Sequence, residues 1–393
     1  MAKKVIEKTQ IGAKTTAQKL AEKFGREMTT IPEPVSEWYS TGSVNLDSIV
    51  NKGAMGGIPC GRVIEVYGPE SSGKTFLALI VAANAQKMGA KIVVIDAEHS
   101  IDTKFLTDLG IDISEDKFTY IEPDNAEEVL ETIEFFVKMA IETGDRYFIL
   151  WDSLANTVAK GEQTVEFGKM VVGGEKAKLM AQGFRRLSTQ LGKAKCTLVV
   201  LNQVKANLAA IGNMFATADE KETTPGGAAL RFAASLRIKL SPRKGKSAYA
   251  RVDDAEDGFI IGSEVKVTLV KSKFGTQYRT CSFKIISGGQ GKPHIADEES
   301  WFDAIEDSEF LKQAGAWYTL IMSDGSEEKF TRKNWMEKIQ DPAFKKRVLE
   351  LLFIEQVEKF ARQEGNAAKY YKLVEERVHG EQLDYKVPEE SEE

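Results

Sequence analysis

The clearest structural signal in this chain of 393 residues is Gly68-Pro69-Glu70-Ser71-Ser72-Gly73-Lys74-Thr75, which fits the pattern GxxxxGK[ST]. It lies between a strand-like run, RVIEVY (62–67), and a helix-like segment at 75–88. A glycine-rich turn in this position directs backbone N–H groups and the positive end of the helix dipole at one anion. We therefore predict a phosphate-binding P-loop, in which Lys74 reaches the β- and γ-phosphates of a nucleotide and the Thr75 hydroxyl holds Mg²⁺.

Apolar strands and amphipathic helices alternate after the P-loop. The strand-like runs are KIVVID (91–96), YFILWDS (147–153) and TLVVLNQ (197–203). A helix is predicted up to Thr143, with a capping box formed by Asp124 and Glu127, and a second helix is predicted over 174–192. This alternation predicts an α/β core whose mostly parallel sheet is flanked by helices on both faces.

Polar residues stand where three of these strands end. They are Asp96 and Glu98, Asp152 and Ser153, and Asn202 and Gln203. Ligands of open α/β sheets bind at the carboxyl ends of the strands, so we expect these side chains beside the P-loop. Asp152 is the expected acid on the Mg²⁺ side, Glu98 is a candidate base for a water that attacks the γ-phosphate, and Gln203 is a candidate sensor of that phosphate.

The remaining sequence predicts flanking regions. EVKVTLVKSK (264–273) and QYRTCSFKII (277–286), joined by Phe274-Gly275-Thr276, predict an antiparallel hairpin at the sheet edge. The first residues form either a solvated terminal helix or an arm that packs on a neighbouring subunit. The predicted domains are an N-terminal oligomerisation arm and linker (1–36), the ATPase-type core (37–290), a small, mostly helical α+β domain (291–380) and a disordered acidic tail (381–393).

Composition excludes several classes of protein. Hydrophobic residues make up 42% and charged residues 28%, which is ordinary for a soluble globular protein and unlike a disordered chain or a fibre. No apolar run is long enough to cross a bilayer, so no membrane partner is expected. The formal net charge is −6, but residues 381–393 hold six acids and one base, which leaves −1 for the other 380 residues. The mild acidity therefore does not argue against nucleic acid as a partner.

A series of motifs, in this order, resembles the bacterial RecA recombinases, chromosomal or phage-encoded. They are Ser40-Thr41-Gly42-Ser43 with Leu46-Asp47, the P-loop, DAEHSID (96–102), WDS (151–153), LNQV (201–204), GGAALRFAASLRIKL (226–240) and VKSK (270–273). The resemblance spans about residues 38 to 290 and continues in Ala314-Gly315-Ala316-Trp317-Tyr318. It implies an ATP- and Mg²⁺-dependent recombinase that forms a homo-oligomeric helical filament on single-stranded DNA and exchanges strands with a homologous double-stranded DNA.

The resemblance also implies roles at the ATP site. It assigns Glu98 the catalytic carboxylate, Asp152 the metal-side acid and Gln203 the γ-phosphate sensor. The implied nucleotide contacts are Gly68 through Thr75, Phe76, Asp102 at the adenine, and Phe105, which stands where these proteins usually have Tyr and can stack without donating a hydrogen bond. Lys271 and Lys273 match a pair that acts across the subunit interface on the neighbour's ATP, as an arginine finger does. Without the resemblance, these lysines would be interpreted as a solvent-facing basic hairpin.

Two DNA-contacting loops are implied at about 160–176 and 204–225. Neither is strongly basic, so backbone N–H groups and apolar inserts must carry much of the contact. Ile211-Gly212-Asn213-Met214-Phe215 matches an apolar wedge that slips between base steps. The other expected DNA contacts are Lys169, Met170, Arg185, Gly226, Gly227 and Arg231. Phe232 matches an aromatic subunit contact.

The resemblance further implies a cytoplasmic protein, in a bacterial cell or a phage-infected host, that acts in DNA repair and the SOS response. Single-strand-binding protein and loading mediators would be additional partners. Two other functions remain open at this point. A ring helicase shares the core, but the lysine hairpin and residues 315–318 favour the recombinase. A non-hydrolysing filament scaffold would not require the Lys74, Thr75, Glu98 and Asp152 set.

Overall fold

A computed structural model describes residues 16–25, 35–51, 53–163, 174–207, 222–252, 258–289 and 291–360. By contacts the chain divides into Met1–Val35 and Ser36–Glu393. Among the described residues of the first unit, a helix spans Thr16–Phe24 (α1). The predicted arm as a whole extends beyond the described ranges, as does the acidic tail at 381–393.

The second unit contains the α/β core and the C-terminal part. Its helices within the described ranges are Val44–Val50 (α2), Lys74–Lys87 (α3), Thr103–Asp108 (α4), Ala126–Thr143 (α5), Lys160–Gln163 (α6), Glu175–Lys193 (α7), Gly227–Ala233 (α8), Glu298–Ile305 (α9), Trp335–Lys338 (α10) and Pro342–Gln356 (α11). Its strands are Trp38–Tyr39 (β1), Ile58–Pro59 (β2), Val63–Gly68 (β3), Ala90–Asp96 (β4), Phe118–Ile121 (β5), Arg146–Asp152 (β6), Thr197–Gln203 (β7), Lys205–Ala206 (β8), Glu222–Thr223 (β9), Leu236–Pro242 (β10), Tyr249–Arg251 (β11), Ile260–Ser272 (β12), Thr280–Ile286 (β13), His294–Ala296 (β14), Leu311–Ala314 (β15), Trp317–Ile321 (β16) and Glu327–Thr331 (β17).

One large mixed sheet forms the core. Its order is β14-β13-β12-β10-β3-β7-β6-β4-β5, with β11 paired to β12. The strands from β10 through β5 are parallel to one another, and β11 through β14 are joined to them by antiparallel pairing. The prediction of a mostly parallel α/β sheet with an antiparallel hairpin is confirmed. This order places the carboxyl ends of β3, β7, β6 and β4 side by side.

Helices cover both faces of the parallel strands. Trp151 and Val200 belong to a buried apolar cluster with Ile133 of α5 and Phe184 of α7. Trp151 and Phe184 stack with ring centroids 6.5 Å apart. The alternate strand residues, such as Phe148, are also fully buried, and α3 contacts these strands. Burial of each large apolar side chain contributes roughly 2 kcal/mol to the stability of the fold. The buried core therefore fixes the strands whose polar ends form the site.

The start of α5 differs from the predicted capping box by one residue. Asn125 is the N-cap, and its side chain accepts a hydrogen bond of 3.0 Å from Glu128 N. Glu128 in turn accepts one of 2.8 Å from Asp124 N. Asn125 is therefore the N-cap in place of Asp124, because Asn125 has the extended backbone that a cap requires while Ala126 is already helical.

The hairpin also differs in detail from the prediction. β12 ends at Ser272 and β13 begins at Thr280, so the connection is longer than Phe274-Gly275-Thr276. The Ser272 side chain accepts hydrogen bonds from Phe274 N and Gly275 N, which starts the turn early. The short strand β14 then pairs with β13 and is the terminal strand on this side of the sheet.

The C-terminal part combines helices with a small antiparallel sheet. β15, β16 and β17 pair in that order over residues 311–331, so the expectation of mostly helical structure is wrong for this stretch. Asp297 accepts hydrogen bonds of 2.7 Å from Ser43 Oγ and 2.9 Å from Asn45 N, which tie the start of α9 to α2. Whether 291–380 folds as a separate domain stays a prediction. In the described part of the chain, no helix has the length and apolar character needed to cross a membrane.

Candidate active site

The P-loop turns tightly between β3 and α3. Ser71 and Gly73 adopt positive φ angles of 56° and 82°. A Cβ added to Gly68 would lie 2.3 Å from the backbone oxygen of Leu240, so only glycine fits this close approach of two strands. The buried Ser72 Oγ has no hydrogen-bond partner among the described residues. A tight turn at the start of a helix, with a buried hydroxyl that has no partner, fits a phosphate.

Lys74 is the first residue of α3, and its side chain contacts the P-loop that precedes it. Its Nζ donates hydrogen bonds of 2.8 Å to Pro69 O and 3.4 Å to Gly68 O. Burial lowers the pKa of Lys74, while the carboxylates of Asp152, Glu98 and Glu70 act in the opposite direction. A partly desolvated ammonium with three acids nearby is well placed to pair with phosphate oxygens.

The two expected Mg²⁺ residues are in direct contact. Thr75 Oγ1 donates a hydrogen bond of 2.6 Å to Asp152 Oδ2. Burial raises the pKa of Asp152 to about 6, with the bond from Thr75 opposing the shift. A hydroxyl and a carboxylate are hard oxygen donors, so these residues fit Mg²⁺, with Thr75 as ligand and Asp152 behind it.

Glu98 is held by residues of two adjacent strands. Ser153, directly after β6, donates a hydrogen bond from Oγ to Glu98 Oε1. Asp96, the last residue of β4, accepts bonds from Glu98 N at 2.9 Å, Ser100 N at 2.9 Å and Ile101 N at 3.1 Å. The Glu98 carboxylate is half-buried, and within the described part of the chain its second oxygen, Oε2, has no hydrogen-bond partner.

Gln203 ends β7 beside a buried polar network that the sequence did not reveal. Asn202 Nδ2 donates hydrogen bonds of 3.0 Å to both Glu65 Oε1 and Pro225 O, and Arg237 Nε contacts Glu65 Oε2 at 2.5 Å. Glu65 and Asn202 are fully buried. The network therefore ties Pro225, which closes the segment that begins after Gln203, to the end of β7. The one available signal was the acid of RVIEVY, since a charge within an apolar strand requires partners.

The expected adenine contacts lie together near α4. Asp102 is the N-cap of this helix, and Oδ1 accepts a hydrogen bond of 2.7 Å from Phe105 N. The rings of Phe105 and Phe76 are 6.1 Å apart. Asp102 thus has one oxygen occupied by its own helix, and its contact with adenine stays a prediction.

The lysine pair lies on β12 and just beyond its end. Lys271 Nζ donates hydrogen bonds of 2.6 Å to Arg231 O and 3.2 Å to Phe232 O. Burial lowers the pKa of Lys271, and Lys273 and Arg237 lower it further. Lys271 is half-buried and Lys273 is exposed, and the contact of this pair with a neighbouring chain stays a prediction.

The described DNA-loop residues lie around α7 and α8. Arg185 and Arg231 are exposed, and Gly226 is the αL N-cap of the helix that Gly227 begins. Phe232 is 79% exposed beside a groove of about 480 Å³ between the two helices. Lys169, Met170 and the whole wedge Ile211-Gly212-Asn213-Met214-Phe215 lie outside the described residues.

A P-loop follows the central parallel strand β3, and acids stand at the ends of β6 and β4. This combination defines the α/β class of P-loop proteins. The family model for the RecA N-terminal domain matches residues 13–291. The chain belongs to the RecA family, and it has the role of a recombinase in recombination and repair.

Relatives named Protein RecA match most of the chain. The protein of Streptomyces coelicolor is 36% identical over 312 residues, which are 79% of this chain and 75% of the relative. That of Heliobacterium modesticaldum is 38% identical over 284 residues, 72% of this chain and 74% of the relative. That of Saccharopolyspora erythraea is 35% identical over 321 residues, 81% of this chain and 84% of the relative.

Proposed function

We propose that this recombinase is a DNA-dependent ATPase that forms a helical filament on single-stranded DNA and uses ATP to control pairing with a homologous duplex. The observation that carries the proposal is the convergence of Lys74, Thr75, Asp152 and Glu98 at the carboxyl ends of β3, β6 and β4. Membership of the RecA family supports the link between this site and strand exchange.

The site residues divide the work of hydrolysis. The P-loop N–H groups and Lys74 bind the phosphates, and Thr75 with Asp152 would hold Mg²⁺, which would offset negative charge on the phosphates. Glu98 Oε2 takes a proton from the attacking water, while Ser153 keeps Oε1 in place. The water oxygen bonds to the γ-phosphorus, the bond to the β–γ bridging oxygen breaks, and ADP and phosphate leave.

Hydrolysis in this proposal depends on assembly. Lys271 and Lys273 act on the ATP of the adjacent subunit, where two cations offset charge that develops on the transferred phosphoryl group. Gln203 senses the γ-phosphate, and the Asn202–Pro225 bond connects it to the end of the second DNA loop. The proposed partners are single-stranded and double-stranded DNA, further copies of this chain, single-strand-binding protein and loading mediators. We propose that the protein acts in the cytoplasm, in response to DNA damage.

A strand-exchange assay tests the proposal. Circular single strands are mixed with a homologous linear duplex, ATP and Mg²⁺, and nicked circular product is expected with the wild-type chain but not with Lys74→Ala. A heterologous duplex is the matched control. Unwinding of a forked duplex without pairing would favour a ring helicase, and an ATPase rate that does not rise with single-stranded DNA would favour a scaffold.

A further inference from the structure

The edge strand β5 contacts the loop that carries Glu98. Tyr120, in this strand, donates a hydrogen bond of 2.9 Å from its hydroxyl to Asp96 Oδ2. β5 is the terminal strand on this side of the sheet and pairs with β4, so Tyr120 reaches across to the strand end where the loop begins. None of the motifs in the sequence includes Tyr120.

Asp96 determines the shape of this loop. Its Oδ1 accepts from Glu98 N, and its Oδ2 accepts from Ser100 N and Ile101 N as well as from Tyr120. Within these bonds the loop includes His99 at a positive φ of 52°, a conformation that an isolated chain rarely adopts. The orientation of one buried carboxylate therefore sets where the Glu98 side chain begins.

The Tyr120 hydroxyl is the side-chain group that orients the Asp96 carboxylate. Among the described residues Asp96 accepts hydrogen bonds from four groups, of which three are N–H groups of the loop itself and move with it, whereas Tyr120 is anchored in the sheet. A second contact from the same side joins Glu122 Oε1 to His99 Nδ1 at 3.3 Å, but both side chains are more than half exposed, so it adds little. The tyrosine hydroxyl is thus the sheet-anchored side-chain contact of the Asp96 carboxylate, in addition to the bonds from Ser153 Oγ to Glu98 Oε1 and from Ala97 N to Asp152 O, which join the loop to the end of β6.

We propose that Tyr120 is a positioning residue for ATP hydrolysis, which acts through Asp96 to hold the Glu98 carboxylate against the attacking water. The inference rests on the proposed role of Glu98 as the base. It predicts an effect on turnover and not on ATP binding, because Asp96 does not belong to the P-loop. A small misplacement of a general base lowers the rate while ground-state contacts with the nucleotide stay intact.

The test is Tyr120→Phe, which removes one hydroxyl and keeps the ring. At saturating single-stranded DNA, kcat for ATP should fall roughly 10-fold, as expected for loss of a hydrogen bond to a charged group, with KM and the unfolding midpoint nearly unchanged. Tyr249→Phe is the matched control, because Tyr249 is exposed to a similar extent, 40% against 37%, and lies on the β11 hairpin. A wild-type kcat for Tyr120→Phe would overturn the inference.

The double variant Glu98→Gln/Tyr120→Phe separates positioning from a general structural effect. If Tyr120 acts through Glu98, the double variant should turn over at the residual rate of Glu98→Gln alone. A further 10-fold loss in the double variant would show that Tyr120 acts independently and would overturn the inference. Wild-type turnover by Glu98→Gln would instead remove the proposed base, and the Tyr120 inference with it.

Discussion

Thr75 and Asp152 are joined by a hydrogen bond of 2.6 Å across 77 positions of sequence. It connects the first turn of α3 to the end of β6, two strands away from β3 in the sheet. The two residues assigned to Mg²⁺ are therefore assembled by the fold itself. The cost of this arrangement is a buried carboxylate, and that cost can be measured.

Asp152→Asn should stabilise the nucleotide-free protein at pH 8 and change its stability little at pH 4. Burial raises the pKa of Asp152 to about 6 from an ordinary value of 3.8, so the folded chain binds this proton more tightly than the unfolded chain. The favourable contribution is fully present below the unfolded pKa and is lost as pH rises through about 6. The full shift corresponds to at most roughly 3 kcal/mol, measured by urea unfolding at both pH values.

Asp145→Asn provides a control of opposite sign. The partly exposed Asp145 has a lowered pKa, chiefly because its carboxylate accepts a hydrogen bond from Lys91. Its contribution to stability is present above the unfolded pKa and is lost in acid, so its replacement should cost a little at pH 8. If both variants changed stability in the same direction at pH 8, burial would not be the cause of the Asp152 shift.

Glu98→Gln should retain ATP binding and filament assembly while turnover falls by about 100-fold or more. The amide keeps the shape of the side chain and the acceptor for Ser153 Oγ, but it cannot take the proton of the water. Nucleotide binding and DNA-stimulated phosphate release are measured in parallel. Glu131→Gln, on the exposed side of α5, should hydrolyse ATP like the wild type. Equal turnover of the two variants would remove Glu98 from the mechanism.

Glu65→Ala should reduce the free energy of unfolding by about 3–5 kcal/mol, because it leaves Arg237 and the Asn202 amide without their buried acceptor. Glu264→Ala breaks a partly exposed pair with Arg243 at 3.5 Å and should cost about 1 kcal/mol or less. Urea unfolding compares the two. Similar costs would mean that water reaches the Glu65 network in the folded protein.

The sequence predicted the elements whose signals are local. The strand Thr197–Gln203 matches its predicted bounds because an uninterrupted apolar run ends in two polar residues. The P-loop and the acids at the strand ends follow from one motif and one rule of α/β sheets. Asn125 was missed as a cap because Asp124 is an equally good capping residue by type, and only backbone conformation distinguishes them.

Long-range pairing was not available from a single sequence. Glu65 meets Asn202 and Arg237 across 137 and 172 positions, and no spacing rule connects residues so far apart. The strands β15 to β17 have four or five residues each, too short for their alternation to stand out from the helical residues around them. Tyr120 was also missed because its proposed role depends on a long-range pairing, in which β4 places Asp96 beside it.

Mixed filaments test whether the lysine pair acts across the interface. Lys271→Ala and Glu98→Gln should each be inactive alone, because one lacks the cation given to its neighbour and the other lacks its own base. Mixed in equal amounts, a Lys271→Ala subunit can receive Lys271 from a Glu98→Gln subunit, so about one interface in four regains a complete site. DNA-stimulated phosphate release is measured against each variant alone. A mixture as inactive as its components would place both residues in one subunit's site.

Deletion of 381–393 should speed loading onto duplex DNA. These residues hold six acids and one base, which accounts for −5 of the net −6, and we expect them to compete with DNA for the basic surface of the nearly neutral body. The difference between full-length and deleted chains should be largest at low salt and shrink as added ions screen the competition. Replacement of the six acids by their amides, at unchanged length, should reproduce the deletion. Equal loading of all three chains across a salt series would show that the tail charge does not act on DNA binding.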